Sequence, residues 1–188
     1  KITKSDIDKA RDDIKSCGAV VCQLEIPLDI VEYAAEVCAE CGVTFILNPA
    51  PACKLSESLF AKTTIITPNE TETQILTGLD VTDKDSAEKA AMALLEKGVR
   101  AVAITMGSAG VLIVTAEQTK FVVACKVKAV DTTAAGDAFN GGLAYGLAQG
   151  MQLLEAAEFA NRVAGLSVTK KGAQCSMPTL EEVQKMKG

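Results

Sequence analysis

The residues DTTAAGDAF, at 131–139, set one carboxylate, Asp137, directly after three residues with almost no side chain, Ala134, Ala135 and Gly136. The stretch runs from Val130, the end of a β-like segment, into a helix. Small residues at a strand-to-helix turn let a ligand approach bare backbone N–H groups. The tip of a helix also carries roughly half a positive charge, so such a turn attracts anions. A carboxylate at that spot opposes the attraction unless it has chemistry of its own. Phosphoryl transfer uses both features. The backbone holds the phosphoryl group as its charge develops, while Asp137 orients and deprotonates an acceptor alcohol. A weak base suffices there, because the transition state is loose. On local sequence alone, a helix-capping Asp without chemistry is the competing reading.

Other chemistries are narrowed by what the chain lacks. It has no His, so histidine-dependent triads are excluded and any general base is Asp, Glu, Lys, Cys or Tyr. Neither the G-x-x-x-x-G-K-[ST] loop nor a G-x-G-x-x-G turn after the first strand is present. Seven Cys, an odd number scattered along the chain, fit a reducing cytosol and not a disulfide framework. Cys38 and Cys41 end a helix instead of starting one, which favours structural burial over redox or metal chemistry.

The elements that must position Asp137 follow from periodicity. Residues 5–16 read as a helix capped by Ser5 with Asp8, and 19–24 (AVVCQL) as a short buried strand. Residues 28–41 form a helix burying Ile30, Val31, Ala34, Ala35, Val37 and Cys38, stopped by Gly42. Strands are expected at 43–47, 64–67, 100–105 and 126–130, with a hairpin from 111–115 and 121–123. Further helices are expected at 70–76, 83–96, 136–149, 151–169 and 179–187. Gly142, Gly146 and Gly150 follow Ala138 at four-residue spacing, which would let that helix lie close to a neighbour at about 1 kcal/mol each.

This alternation predicts one α/β domain over residues 1–188, with a mainly parallel sheet covered by helices on both faces. Ligands sit beyond the carboxyl ends of such strands. There the sequence puts Glu25, Asn48, Asn69 with Glu72, Gly107 to Gly110, and Asp137.

With 188 residues, 48% of them hydrophobic, the chain can build one sizeable core. A net charge of −5, 4% aromatic residues and no Trp argue against a nucleic-acid partner. No apolar run approaches the roughly 20 residues needed to span a membrane, and the cysteine usage makes a cytoplasmic protein the expectation.

The motifs together carry a resemblance. VDTTAAGDAFNGGLA (130–144) resembles the second signature of the ribokinase-like (PfkB) carbohydrate kinases. QLEIPLDIV (23–31), NPAP (48–51), TPNETETQILTG (67–78), TMGSAG (105–110) and KKGAQCSMP (170–178) are similar to further landmarks of that family, in order. The resemblance implies a three-layer α/β/α fold and transfer of the γ-phosphate of ATP to a sugar hydroxyl. Asp137 would be the catalytic base and Ala134, Ala135 and Gly136 the anion hole. Relatives often carry Gly where Ala134 stands. Asn69 and Glu72 match an N-x-x-E pair that holds hydrated Mg²⁺, an ion that keeps its waters and takes few protein ligands.

Thr105, Met106, Gly107, Ser108, Ala109 and Gly110 match the nucleotide-binding turn, and Asn161 sits where adenine is contacted. Glu25, with Asp137, corresponds to a sugar contact and favours transfer to the 5-hydroxyl of D-ribose. Asp131, Thr133, Ser167, Lys170, Gly172 and Ser176 match loops that bind an activating K⁺, Lys170 through its carbonyl. A complete member has an N-terminal portion with most sugar contacts, further strands and a lid that pairs subunits into a homodimer. This chain, opening at Lys1, reads as the C-terminal, ATP-binding portion, expected to be inactive alone. The alternatives are another sugar or nucleoside kinase of the superfamily, such as a fructokinase or pseudouridine kinase, or a nucleotide-binding module without catalysis.

Overall fold

The computed structural model describes residues 2–186. Short apolar runs become the strands β1 (Ala19–Cys22), β2 (Thr44–Leu47), β3 (Ile65–Ile66), β4 (Ala101–Thr105), β5 (Gly110–Thr115) and β6 (Thr119–Val123), in sheet order β1-β2-β3-β4-β5-β6. β1 to β4 run parallel, with Cys22 opposite Leu47, Leu47 opposite Ile66 and Ile66 opposite Val102. β5 and β6 fold back as an antiparallel hairpin.

The sheet is buried on both faces, and the alternation of side chains shows it. Phe45, Leu47, Ile66, Val102, Ile104, Leu112 and Val114 enter one core; Ile46, Ile65, Ala101, Ala103, Val111 and Ile113 enter the other. Successive strand residues point to opposite faces. An uninterrupted apolar run is therefore the pattern of a doubly covered strand. The first core is closed by α3 (Leu28–Cys41), α4 (Glu57–Lys62) and α6 (Lys84–Glu96). The second is closed by α7 (Ala135–Ala148) and α8 (Leu153–Ser167). Full burial of a side chain such as Phe45 or Leu47 stabilises by about 1.5–3 kcal/mol. The result is the three-layer α/β/α arrangement, mostly parallel.

α7 lies tight against its neighbours. A Cβ at Gly142 would come within 2.8 Å of the Ala160 Cα, and one at Gly146 within 2.9 Å of the Ala156 Cβ. The close approach expected of these two glycines is present. Gly150 differs: it lies beyond the helix with φ 83° and open space around it, so it serves the turn into α8.

Several expectations about local structure change. Residues 126–130 are not a strand, and Val130 is exposed; the backbone N–H of Val130 instead donates to the Val168 carbonyl, 2.7 Å away. The segment alternates polar and apolar residues but adds to neither sheet edge, β1 or β6, and its backbone is tied to the end of α8 instead. The first helix is two, α1 (Lys4–Lys9) and α2 (Arg11–Ser16), and its cap is Thr3 with Asp6, not Ser5 with Asp8. α4, six residues long, is too short for a periodic signal; the Ser56 hydroxyl caps it by accepting from the Leu59 N–H at 3.1 Å.

α5 (Glu70–Thr77) and α9 (Leu180–Lys185) complete the elements, the latter ending short of residues 187–188, which lie outside the described residues. Among the described residues no helix is long and apolar enough to cross a membrane.

Candidate active site

The four parallel strands end in line, so the residues that follow them form one edge. Gln23 follows β1, Asn48 follows β2, Thr67 and Asn69 follow β3, and the turn from Met106 follows β4. Asn69 is joined to Thr105 by a parallel bridge. The N-terminus of α7 faces this edge across a cleft of about 310 Å³ lined by Asn48, Asn69, Glu72, Thr105 and the residues Ala134 to Asp137. A second cavity of about 240 Å³ adjoins it, lined by Thr105, Gly107, Gly110, Phe139 and Asn161. Asn69, Thr105, Ala135 and Gly136 belong to both walls, so the uncapped helix tip lies at the junction.

That tip leaves backbone donors open toward the cleft. Ala134 sits at the N-cap position with φ 60° and ψ 17°, a left-handed conformation, and offers no side-chain cap. The Ala135 N–H is spent on the Thr132 carbonyl at 3.2 Å. The N–H groups of Gly136 and Asp137, next in the first turn, are left for a ligand. Of the residues expected to form the anion hole, Ala135 has its N–H engaged, while the Gly136 N–H is open and that of Asp137 lies beside it. The Asp137 side chain is exposed, and its Oδ1 accepts from Gln23 Nε2 at 2.9 Å.

On the opposite wall Asn69 and Glu72 form a reciprocal cap on α5. The Glu72 N–H donates to Asn69 Oδ1 at 2.8 Å, and the Asn69 N–H donates to Glu72 Oε2 at 2.9 Å. Glu72 is partly buried, and this burial pushes its carboxyl above the usual carboxylate range; the bond from Asn69 opposes the shift. Oε1 remains for a water or a hydrated cation. Among the described residues no three His, Cys, Asp or Glu cluster as a metal cage. The donor set suits a magnesium ion held mainly by water and phosphate.

The pfkB family carbohydrate kinase model matches residues 8–180. The ribokinase of Haemophilus influenzae is 46% identical over 90% of the chain and 55% of its own length. That of Staphylococcus aureus is 41% identical over 98% of the chain and 61% of its own length. The structure of Arabidopsis thaliana ribokinase complexed with ribose and ATP superposes with a TM-score of 0.91 at 30% identity, covering 95% of this chain and 58% of that one. This chain belongs to the pfkB carbohydrate kinase family. It spans somewhat over half the length of these relatives, and its layers are those of the ribokinase-like fold.

For a pfkB kinase the expected nucleotide turn is only partly at the cavity. Thr105, Gly107 and Gly110 line it, whereas Met106 is buried in the first core and Ser108 and Ala109 face solvent. Gly110 has φ 128°, and a Cβ there would collide with the Val122 carbonyl, so only glycine fits. Asn161 is buried, with its Nδ2 donating to the Val123 carbonyl at 2.7 Å.

The expected cation loops do meet. Asp131 Oδ1 accepts from the Thr133 N–H at 3.0 Å, and Oδ2 from the Gly172 N–H at 2.9 Å. These bonds, Gly172 first, hold the Asp131 carboxyl at about 2, so it stays ionised. Ser167 and Ser176 are buried, their hydroxyls donating to the Ala164 and Ala173 carbonyls. The Lys170 ammonium pairs with Glu182 at 2.9 Å; being positive itself, it has no lone pair for a cation, and only the residue's carbonyl could serve.

Glu25 stands apart: it is exposed and outside the lining of the cleft. Sequence reasoning placed it there and passed over Gln23, two residues earlier, which reaches Asp137. It also passed over Thr67 and Asn140, both buried polar residues of the cleft wall. The available signal was a polar residue directly after each apolar strand, and an amide in the otherwise apolar helix after Asp137. Cys38 is buried and its thiol is pushed up to about 12 by that burial, which favours a structural place for it over thiol chemistry.

Proposed function

We propose that residues 1–188 are a single unit, the ATP-binding and phosphoryl-transfer part of a kinase that moves the γ-phosphate of ATP to the 5-hydroxyl of D-ribose. One observation carries the reading: the Asp137 carboxylate stands beside the open N–H groups of α7, facing the Asn69–Glu72 pair across the cleft. The adenosine of ATP would occupy the cavity between the hairpin turn and α8, near Asn161, and its phosphates would run to the helix tip at the cavity junction. Asp137 would accept the proton of the sugar hydroxyl as the phosphoryl group passes to it. The backbone donors and the helix dipole would hold the charge on the equatorial oxygens.

Magnesium, bound through water by Asn69 and Glu72, would neutralise charge on the β and γ phosphates. Potassium would sit between the loops that Asp131 joins, held by carbonyls and that carboxylate. Its part would be to keep the residues leading into α7 in place. The seven cysteines, all free, support the cytosol as the compartment. A homodimer is proposed from the family resemblance alone.

Ribose is the favoured acceptor because ribokinases predominate among the relatives described. A deoxyribokinase of Salmonella typhi is also 41% identical, over 96% of the chain, which favours 2-deoxyribose as a second reading. The test is ADP formation by the product of the complete gene with ribose, 2-deoxyribose, fructose and pseudouridine in parallel. Highest kcat/KM with ribose is the expected result; a preference for another acceptor reassigns the substrate, and none with any acceptor overturns the kinase reading.

A further inference from the structure

We infer that Gln23, Asn48, Thr67 and Asn140 form one hydrogen-bonded relay that positions both Asp137 and the adjoining peptide at the helix tip. The inference rests on the reading of Asp137 as the base. Gln23 Nε2 donates to Asp137 Oδ1 at 2.9 Å and to Asn48 Oδ1 at 2.9 Å. Asn48 Nδ2 donates to the Thr67 carbonyl at 3.1 Å, and the Thr67 hydroxyl donates to Asn140 Oδ1 at 2.6 Å. Asn140 Nδ2 then donates to the Gly136 carbonyl at 2.9 Å. The path leaves α7 at Asp137, crosses the ends of β1, β2 and β3, and returns to α7 one residue away.

The direction of every bond is dictated by the partners. A carboxylate accepts only, so Gln23 must present its NH₂ to Asp137. Both hydrogens of that NH₂ are then used, and Asn48 must present its oxygen. The Thr67 and Gly136 carbonyls also accept only, which turns Nδ2 of Asn48 and of Asn140 toward them. The Thr67 hydroxyl fills the remaining gap. No amide can flip without losing both of its bonds.

Burial makes this arrangement costly unless it has a use. Asn48, Thr67 and Asn140 are 7%, 2% and 5% exposed. Apolar residues of similar shape would fill the same space with little loss of stability. What they could not do is hold the two groups on which the relay ends. With Oδ1 bound to Gln23, Oδ2 of Asp137 is left to receive the proton. The Gly136 C=O and the Asp137 N–H belong to one planar peptide unit. Gly136 lies in the first turn of α7, and the bond from the Asn140 side chain adds to the helix in holding this peptide with its N–H toward the cleft.

The product of the complete gene is the material for the test. Gln23→Ala should lower kcat about 10- to 100-fold, the usual penalty of a misplaced reacting group, with KM for ATP nearly unchanged. Gln23→Glu has the size of the native residue but faces Asp137 with a second carboxylate, so it should lose more than Gln23→Ala. A residue that only fills space would give the reverse order. Thr67→Val should lose turnover and Thr67→Ser regain most of it. In an Asp137→Asn background, Gln23→Ala should cost little further, because Gln23 reaches the reacting groups directly only through that carboxylate, while the Thr67–Asn140 arm holds the Gly136 carbonyl.

The relay is overturned if Gln23→Glu retains as much turnover as Gln23→Ala or more, or if Gln23→Ala costs as much with Asp137→Asn as without it. Gln23 is partly exposed at a strand end, so its variants decide the matter even where Thr67→Val fails to fold. Full turnover by Asp137→Asn alone would mark the failure of the base assignment itself, a result distinct from either of these.

Discussion

The Asp131 carboxylate binds the Gly172 N–H at 2.9 Å and so joins the loop entering α7 to the loop leaving α8, 41 residues further on. The two backbones also meet where the Val130 N–H reaches the Val168 carbonyl. Whatever steadies these loops steadies the approach to Ala134 and the helix tip. Potassium should therefore raise turnover of the complete gene product well above what sodium supports. Equal rates in the two salts would remove the cation from the reading.

Asp131 also predicts a pH dependence of stability. Its carboxyl is held at about 2 against an ordinary value of 3.8. The folded state therefore prefers the ionised form. The contribution is complete above 3.8 and is lost as pH falls toward 2. Asp131→Asn should flatten the acid limb of a Tm-against-pH curve; an unchanged limb would show that the bridge contributes nothing in solution. The group is exposed, so the effect should be modest and weaker in salt.

Asp137→Asn should reduce turnover by about 10²–10⁴-fold, roughly 3–5 kcal/mol of barrier, with nucleotide binding nearly intact. Steady-state kinetics and ATP titration by calorimetry separate the two. Retention of more than about a tenth of native turnover would contradict the assignment of a positioned base.

Glu72→Gln separates cap from charge. Gln serves in the reciprocal cap as well as Glu, so α5 should stay formed. Burial raises the native carboxyl, which means that the folded state favours its protonated form. Its favourable contribution is present below the ordinary value of 4.5 and is lost as pH rises through the higher folded value. At neutral pH, Glu72→Gln should thus match or exceed the native Tm, while the magnesium concentration for half-maximal rate rises. Loss of Tm at neutral pH together with unchanged magnesium dependence would leave Glu72 a structural cap only.

Ala134 holds a left-handed backbone that costs a residue with a Cβ about 1–2 kcal/mol. Ala134→Gly should relieve most of that and stabilise by about 1 kcal/mol, offset in part by the greater freedom of Gly when unfolded. Ala134→Val should destabilise. Denaturant unfolding measures both, and a destabilised Ala134→Gly would contradict the conformation described.

Residues 1–188 made alone should show no ribose-dependent ADP formation and should self-associate. β1 is an edge of the sheet, and Val21 on it is 38% exposed. An open parallel edge with apolar side chains is a template for further pairing. Light scattering and a coupled ADP assay test the two statements; an active, monodisperse sample would overturn both.

The layers were legible in the residues. Apolar runs such as 43–47 and 100–105 carry the signal of doubly buried strands, and α3 runs from Leu28 to Cys41 with the six buried residues its periodicity indicates. Asp137 after Ala134, Ala135 and Gly136 was legible as a candidate for chemistry, because its residue types conflict unless an anion is bound. Local periodicity failed where structure depends on distant partners. Residues 126–130 have the composition of a strand but are tied to Val168 and not to a sheet edge, and α4 is shorter than the signal that would reveal it.

Which polar residues reach the carboxylate was decided only by tertiary structure. Gln23 and Glu25 both follow β1, and the sequence favours Glu25 by its charge and its motif. Where β1 ends and how the chain bends before Pro27 puts Gln23 against Asp137, 114 positions away, and leaves Glu25 outside the cleft. The same holds for Thr67 and Asn140, whose bond spans 73 positions. Hydrogen bonds act over about 3 Å, whereas the sequence records spacing along the chain. Parallel strands ending in register convert one into the other.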